Sequence, residues 1–255
     1  MLSRFCSVPY IGCGMGLWLT GVLVLTGCDV PSKSVSGTAQ NNLVAMWRFD
    51  EGTGNQASDA SGHGNVGTIR GGSWGEGHEG KALQMDGGDD GIVTVPLSDS
   101  LRSTADATTM MAWTYRTAQH NVAVVSHGYP ALFFGFHGPQ YKWGFQHANG
   151  RVTECYASSR RHPAPLDRWV HLAATYDGWS ARLYADGVEV CSKWGWGAGA
   201  LAMPDSPFTM SGYLRESGEI VDEITGRIDD VRIYKRALSA KEIREAAGIG
   251  DVQPG

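Results

Sequence analysis

The stretch Trp169–Val190, WVHLAATYDGWSARLYADGVEV, restricts what this chain can fold into more than any other. Trp169, His171, Ala173 and Thr175 share one face of an extended run, and Val170, Leu172, Ala174 and Tyr176 share the other. That period of two belongs to a β-strand. Asp177-Gly178 follows, and an Asp-Gly pair accepts the positive φ angles of a tight hairpin turn. A second strand, Ala181–Ala185, ends at another such pair, Asp186-Gly187, and Val188–Val190 resumes the pattern. The spacing predicts an antiparallel meander in which each strand lies beside the one before it.

The residues themselves carry more than the spacing. W-x-H-x-A-x-T-Y-D-G followed by L-Y-x-D-G-x-x-V resembles the central hairpin of the laminin-G-like jelly rolls, within the concanavalin A-like lectin and glucanase superfamily. Ala45–Glu51 (AMWRFDE), Asp59–Gly64 (DASGHG) and Leu83–Asp90 (LQMDGGDD) resemble its opening motifs, and Gly226–Ile243 resembles its closing strand and short helix. The resemblance runs from Asn42 to Ala247. It implies an all-β fold: a two-sheet antiparallel jelly-roll sandwich, concanavalin A-like, with a short C-terminal helix. One fold hosts many activities, so function has to be sought in the site.

The chain divides into a leader (1–27), a tether (28–41) and one domain (42–255). Arg4 and the apolar stretch behind it read as a secretory signal. Leu25-Thr26-Gly27-Cys28 is similar to a bacterial lipobox, which implies a lipid on Cys28 and a membrane attachment in the bacterial cell envelope, at the inner or the outer membrane. An ordinary signal peptide with a chance cysteine is the alternative. Cys6 and Cys13 would leave with the leader, so Cys155 and Cys191 are the pair left to the domain. Export to an oxidising compartment favours a disulfide between them over two free thiols. Val30–Asn41 is rich in small polar residues and reads as a flexible linker. A net charge of −5 and no basic stripe exclude a nucleic-acid partner.

Leu43–Phe49 is the first predicted strand, Lys81–Pro96 a strand pair, and Thr108–Arg116 a strand with Trp113 in the core. Four strand-like runs follow: Ala123–His127, Leu132–His137, Tyr141–His147 and Arg151–Ala157. Ser239 with Glu242 three residues on reads as a capping box, so Leu238–Ala247 is predicted to be a helix ended by Gly248 and fastened by Leu238, Ile243 and Ala246. In similar domains the loop around Asp59 and the closing Ile-Asp-Asp segment hold a structural calcium. The resemblance therefore implies Asp59 and Asp229 as ligands, with Asp50 as a third, because calcium takes several oxygen donors. His63 stands where a small oxygen-bearing residue is common, and an Asx-turn without metal is the alternative.

Lectin-like sandwiches set aromatic rings against sugar faces and bond the hydroxyls with polar side chains. Trp179 at the hairpin tip and Trp194 and Trp196 in a glycine-rich segment are the candidate carbohydrate contacts, with Tyr141 and Arg151 on neighbouring strands. The tryptophans either meet ligand or tuck under their loop, and the stripe containing Tyr141 is either core or platform. The resemblance most often implies a non-catalytic module, lipid-anchored, that binds polysaccharide or glycoconjugate. Glu219-Ile220-Val221-Asp222-Glu223 lacks the Glu-x-Asp-x-x-Glu spacing of a retaining glycosidase. A polysaccharide lyase acting on uronic-acid glycans is the alternative, with His127, His137, His147, Tyr141 and Arg151 as its acid, base and binding groups. A protein-binding structural module is the third. His171 belongs to the hairpin motif and reads as structural.

Overall fold

The computed structural model describes residues 42–88, 91–128, 131–195 and 199–250. The leader, Cys28, the tether and Trp196 lie outside these residues. In chain order the strands begin with β1 (Leu43–Trp47), β2 (Gln56–Ala57), β3 (Gly67–Arg70), β4 (Ser73–Glu76), β5 (Lys81–Asp86) and β6 (Ile92–Val95). A short helix, α1 (Asp99–Arg102), leads to β7 (Thr108–Arg116), β8 (Val122–His127), β9 (Leu132–His137), β10 (Gln140–Gln146) and β11 (Val152–Tyr156). The central hairpin supplies β12 (Trp169–Tyr176), β13 (Ser180–Ala185) and β14 (Val188–Trp194). After β15 (Phe208–Met210), β16 (Tyr213–Leu214) and β17 (Ile220–Val221), the long β18 (Thr225–Tyr234) precedes helix α2 (Ala240–Ala246).

Two antiparallel sheets stack as a sandwich. Sheet A runs β14-β13-β12-β7-β18-β5-β4, with β1 also paired to β18; sheet B runs β11-β10-β9-β8-β15-β6-β3-β2. Alternation decides which residues meet between them. Met110, Ala112, Leu172, Leu183, Ile228 and Ile233 from sheet A join Val124, Phe134, Trp143, Phe145 and Phe208 from sheet B in one buried cluster. Asp186 and Gly187 both have positive φ, 48° and 74°, as the two-residue turn from Ala185 to Val188 requires. The turn after β12 is longer. There the Asp177 carboxylate accepts hydrogen bonds from the backbone N–H groups of Trp179 and Ser180 and from the Ser180 hydroxyl.

Two strand placements differ from those expected. The run Lys81–Pro96 is not one hairpin: β5 pairs with β4 and β18 in sheet A, whereas β6 pairs with β3 and β15 in sheet B. Trp113 is buried, but on the outer face of sheet A rather than between the sheets. It pairs across to His171 and Asp229, and the His78 ring stacks on it with centroids 3.5 Å apart. Further along that outer face, Met111, Ala173, Tyr184 and Tyr234 are covered by Leu238, Ile243 and Ala246. Helix α2 starts at Ser239, whose side chain accepts from the Glu242 N–H while the Glu242 carboxylate accepts from the Ser239 N–H, the expected capping box.

Cys155 of β11 and Cys191 of β14 form a disulfide with Cα atoms 6.1 Å apart, joining an edge of sheet B to an edge of sheet A. It closes a sequence separation of 36 residues. Chain-entropy reasoning gives such a loop about 3–4 kcal/mol. Replacing both cysteines by serine is expected to lower the free energy of unfolding by about that amount, read as a shift of the urea midpoint that reductant produces in the wild type and not in the variant.

Candidate functional site

The residues named for a lyase are not brought together. His127 lies in the core, stacked on Phe208 with centroids 4.3 Å apart, and its Nε2 is 3.0 Å from the carbonyl of Ser206. His147 sits at the same end of sheet B, with Nε2 3.2 Å from the Thr153 hydroxyl. His137 is exposed at the far end of β9, because β8 and β9 pair His127 with Leu132 and Val122 with Phe136. Five residues along a strand separate those ends by about 17 Å. Tyr141 pairs with Phe136 and is buried, its hydroxyl donating to the carbonyl of Pro163 at 3.4 Å. Burial pushes that phenol up to about 12. Tyr141 is therefore core, neither a catalytic base nor a sugar platform. Arg151 is exposed in the turn after β10, at the His147 end.

The three carboxylates expected to hold calcium each accept backbone N–H bonds. Asp59 Oδ1 accepts from the N–H groups of Met46 and Ser61, and Oδ2 from the Ser61 hydroxyl and the Asn65 N–H. Burial works to raise its pKa, but these bonds outweigh it and hold the carboxyl below the usual range. Its lone pairs are thus spent on closing the loop. Asp229 Oδ2 accepts from the N–H groups of His78 and Glu79, at 2.8 and 3.2 Å, and Asp50 Oδ1 from that of Lys81 at 2.9 Å. Both pin the turn between β4 and β5. Burial pushes Asp229 up to about 7, against the opposing bonds from the backbone of Glu79 and His78. Among the described residues no group of three His, Cys, Asp or Glu could hold a metal ion. Asp59, Asp229 and Asp50 do not form such a group, and the bonds of Asp59 to Ser61 and Asn65 are those of the Asx-turn alternative.

The tryptophans divide sharply. Of those in the described residues, Trp47, Trp113 and Trp143 are buried and Trp74 and Trp169 partly so, while Trp179 and Trp194 are 60% and 57% exposed. Register explains the second pair. Ser180 pairs with Trp194, and the Gly195 N–H donates to the carbonyl of Trp179 at 3.3 Å, so both indoles leave one end of the β13–β14 hairpin. The Trp179 ring lies over Gly195, where a Cβ would come within 3.3 Å of it and where φ is +67°. Beneath Trp179, Phe145, His147, Thr153, Tyr176 and Lys193 close the mouth of the sandwich around a crevice of only about 10 Å³. That is room for about one water, so a ligand here would lie on the rings rather than enter a pocket.

Residues not singled out from the sequence continue this rim. Paired residues of antiparallel strands point to the same side. Ser180 with Trp194, Arg182 with Ser192 and Tyr184 with Glu189 therefore form rungs on the outer face of sheet A. At the Tyr184 end they become the floor of an open groove of about 690 Å³ whose other wall is the start of α2. The alternation of Ser180, Arg182 and Tyr184 was the available signal. The wall was not readable, since it comes from residues about 50 positions away in sequence.

Two measurements follow from these placements. Adding a chelator to the full chain is expected to leave its thermal midpoint unchanged; a fall in Tm that added calcium restores would contradict the geometry at Asp59 and Asp229. Burial lowers His127 from 6.5 to about 4, against the opposing bonds to the Ser206 and Pro204 carbonyls, and lowers His171 to about 3. Between 6.5 and these values the unfolded chain takes up protons that the folded chain refuses, so stability falls as pH drops through that window. Asp229 has the opposite sign: its raised pKa gives stability below about 4 that is lost as pH rises towards 7. His127→Gln is expected to flatten the decline between pH 6.5 and 4, measured as urea midpoints across pH.

Comparison with known proteins places this architecture. The binding domain of Paraclostridial Mosquitocidal Protein 1 superposes with a TM-score of 0.66 at 16% identity, covering 80% of this chain and 51% of that one. Domain 4 of AbnA, a GH43 extracellular arabinanase from Geobacillus stearothermophilus solved with arabinotriose, superposes at 0.58 and 21% identity, covering 81% of this chain and 98% of that domain. The botulinum neurotoxin serotype G binding domain gives 0.60 at 14% identity over 79% of this chain and 50% of that one. This chain thus spans about half the length of the toxin binding domains it matches. No curated protein sequence matches it. At these identities the superpositions show the fold alone. The family model of the concanavalin A-like lectin/glucanases superfamily matches residues 86–244, more than half of the chain, and the chain belongs to that family.

Proposed function

We propose that this protein is a non-catalytic glycan-binding module that recognises polysaccharide or glycoconjugate through the Trp179–Trp194 rim. The observation that carries this reading is the exposure of these two indoles while the chain's other described tryptophans are buried or half-buried. An exposed indole costs solubility and marks a contact surface. Its flat apolar face matches the C–H face of a sugar ring, and its N–H can bond a hydroxyl. Ser192 and Arg182 lie on the face of Trp194, and Lys193 beside Trp179 on the other, to meet the remaining hydroxyls. Further support comes from what the fold neighbours are described as doing: the arabinanase domain was solved with arabinotriose, and entry of botulinum neurotoxin type C depends on two ganglioside molecules. A binding role rather than a lyase also accords with the spread of His127, His137 and Tyr141 over opposite ends and sides of sheet B.

The Leu25-Thr26-Gly27-Cys28 motif extends the proposal. Cleavage before Cys28 and its lipidation would hold the module on a membrane of the bacterial envelope, with the polar linker behind it giving reach. Mass spectrometry of the mature N-terminus tests this; an unmodified residue there would remove the anchor.

For binding, the full chain would be run through affinity gels containing neutral or uronic-acid polysaccharides while ultraviolet absorbance reports unsaturated uronates. Retardation without product is expected. Trp194→Ala and Trp179→Ala are each expected to weaken it by about tenfold, the worth of one stacked aromatic. New unsaturated ends would overturn the non-catalytic reading, and free migration in every gel would overturn the glycan reading.

A further inference from the structure

The groove beside the rim differs from it in chemistry. Its floor is Thr175, Arg182 and Tyr184 on the outer face of β12 and β13; one wall is Gly187 of the turn with Val188 and Glu189 of β14, and the other runs from Ala237 into the first turns of α2. Gly187 is required there: φ is +74°, and a Cβ would come within 2.4 Å of the Arg244 stem, which lies against it. The volume, about 690 Å³, is in the range of small-molecule sites, but the groove is open along its length.

Three observations bear on the ligand. The first is continuity. Trp194 pairs with Ser180, one two-residue step of about 7 Å from Arg182, and Tyr184 is a further step along the same face. Indole and guanidinium therefore stand on one straight track, with the buried Tyr184 in its floor, rather than in separate pockets. The second is the polar lining. Arg182 Nη1 donates to Glu189 Oε2 at 3.0 Å, and Arg236 Nη2 donates to Glu242 Oε1 at 2.7 Å from outside the groove. These pairs present fixed donors and acceptors side by side, the pattern that adjacent sugar hydroxyls bond. The third is charge. Among the lining residues the carboxylates of Asp177, Glu189 and Glu242 outnumber the cations Arg182 and Arg244, and the Arg236 that pairs Glu242 from outside only balances them. The lining offers no surplus of cations to a polyanion.

We infer that the groove between β13–β14 and α2 is a subsite for the inner units of an extended, uncharged polysaccharide whose neighbouring unit stacks on Trp194. This rests on the glycan reading above and deepens it: the protein grips along a chain rather than at a chain end, and it selects against uronate polymers. Arg182 and Glu189 set that preference.

Titration calorimetry of the full chain with arabino-oligosaccharides, cello-oligosaccharides and oligogalacturonates, each from disaccharide to hexasaccharide, tests the inference. In a neutral series affinity is expected to climb by at least about tenfold from disaccharide to tetrasaccharide and then level off, as each added unit gains about one or two net hydrogen bonds until the groove is full. Oligogalacturonates of equal length are expected to bind at least about tenfold more weakly. The paired substitution Arg182→Ala with Glu189→Ala, which leaves no unpaired charge, is expected to flatten the length profile, and an unchanged thermal midpoint verifies its fold. Should that pair prove unfolded, Glu189→Gln is expected to narrow the gap between neutral and acidic series. Affinity independent of length, or tighter binding of oligogalacturonates, would overturn this inference while leaving the glycan reading intact. Absence of binding in all series by the wild type would overturn both.

Discussion

Strands β7, β12 and β18 carry large side chains on both faces, so the sheet they form needs cover on two sides. The inner side is met by sheet B through the single apolar cluster that includes Ala112, Leu172, Ile228, Phe134 and Trp143. The outer side is met in two pieces. Helix α2 covers Met111, Ala173, Tyr184 and Tyr234, and the turn between β4 and β5 lays His78 flat on Trp113. Each piece is fastened by polar bonds. Arg232 Nη1 donates to the Ala246 carbonyl at the end of α2, and Asp229 gathers the N–H groups of His78 and Glu79. The bulge in β18 between Asp229 and Arg232, with Asp230 at a positive φ of 47°, re-aims these neighbouring side chains to two different covers.

That cover ends before the sheet does. Past Tyr184, α2 no longer covers the outer face of β13 and β14, and Arg182 and Trp194 there reach solvent. The candidate site thus follows from the length of α2, whose seven residues reach across part of the sheet and leave a groove at the margin. Function in this reading is carried by residues that the core does not need. The same scaffold elsewhere in the family could then bind differently by changing only this margin.

Much of the fold was legible because alternation and turn chemistry are local. The four runs from Ala123 to Ala157 form β8 to β11 to within about a residue at each end, and they pair in sequence order. The capping box at Ser239 and the anchoring of Leu238, Ile243 and Ala246 could be read for the same reason. The Cys155–Cys191 bridge followed from arithmetic and compartment. What could not be read was which strand end a residue occupies in space. His127, His137 and His147 recur at a regular interval, yet antiparallel pairing sends the middle one to the opposite end. Tyr141 shares a face with Trp143 and Phe145, and alternation alone does not say that this face is the core. The bonding of Asp59 was hidden for another reason. A sequence shows the charge of Asp59 but not that four donors from its own loop and from β1 consume it.

The placement of the disulfide has a mechanical side. Strand β14 is the edge of sheet A, held by backbone hydrogen bonds to β13 alone. A polymer gripped at Trp194 and dragged by flow would load that edge from its last residue, the geometry in which a strand unzips one bond pair at a time. Peeling would pass Lys193 and Ser192 and then reach Cys191, which is tied covalently to Cys155 on the edge of the other sheet. Tension would from there be shared by both layers of the sandwich, so the grip on the polymer would be limited by the sugar contacts rather than by the strand that bears them.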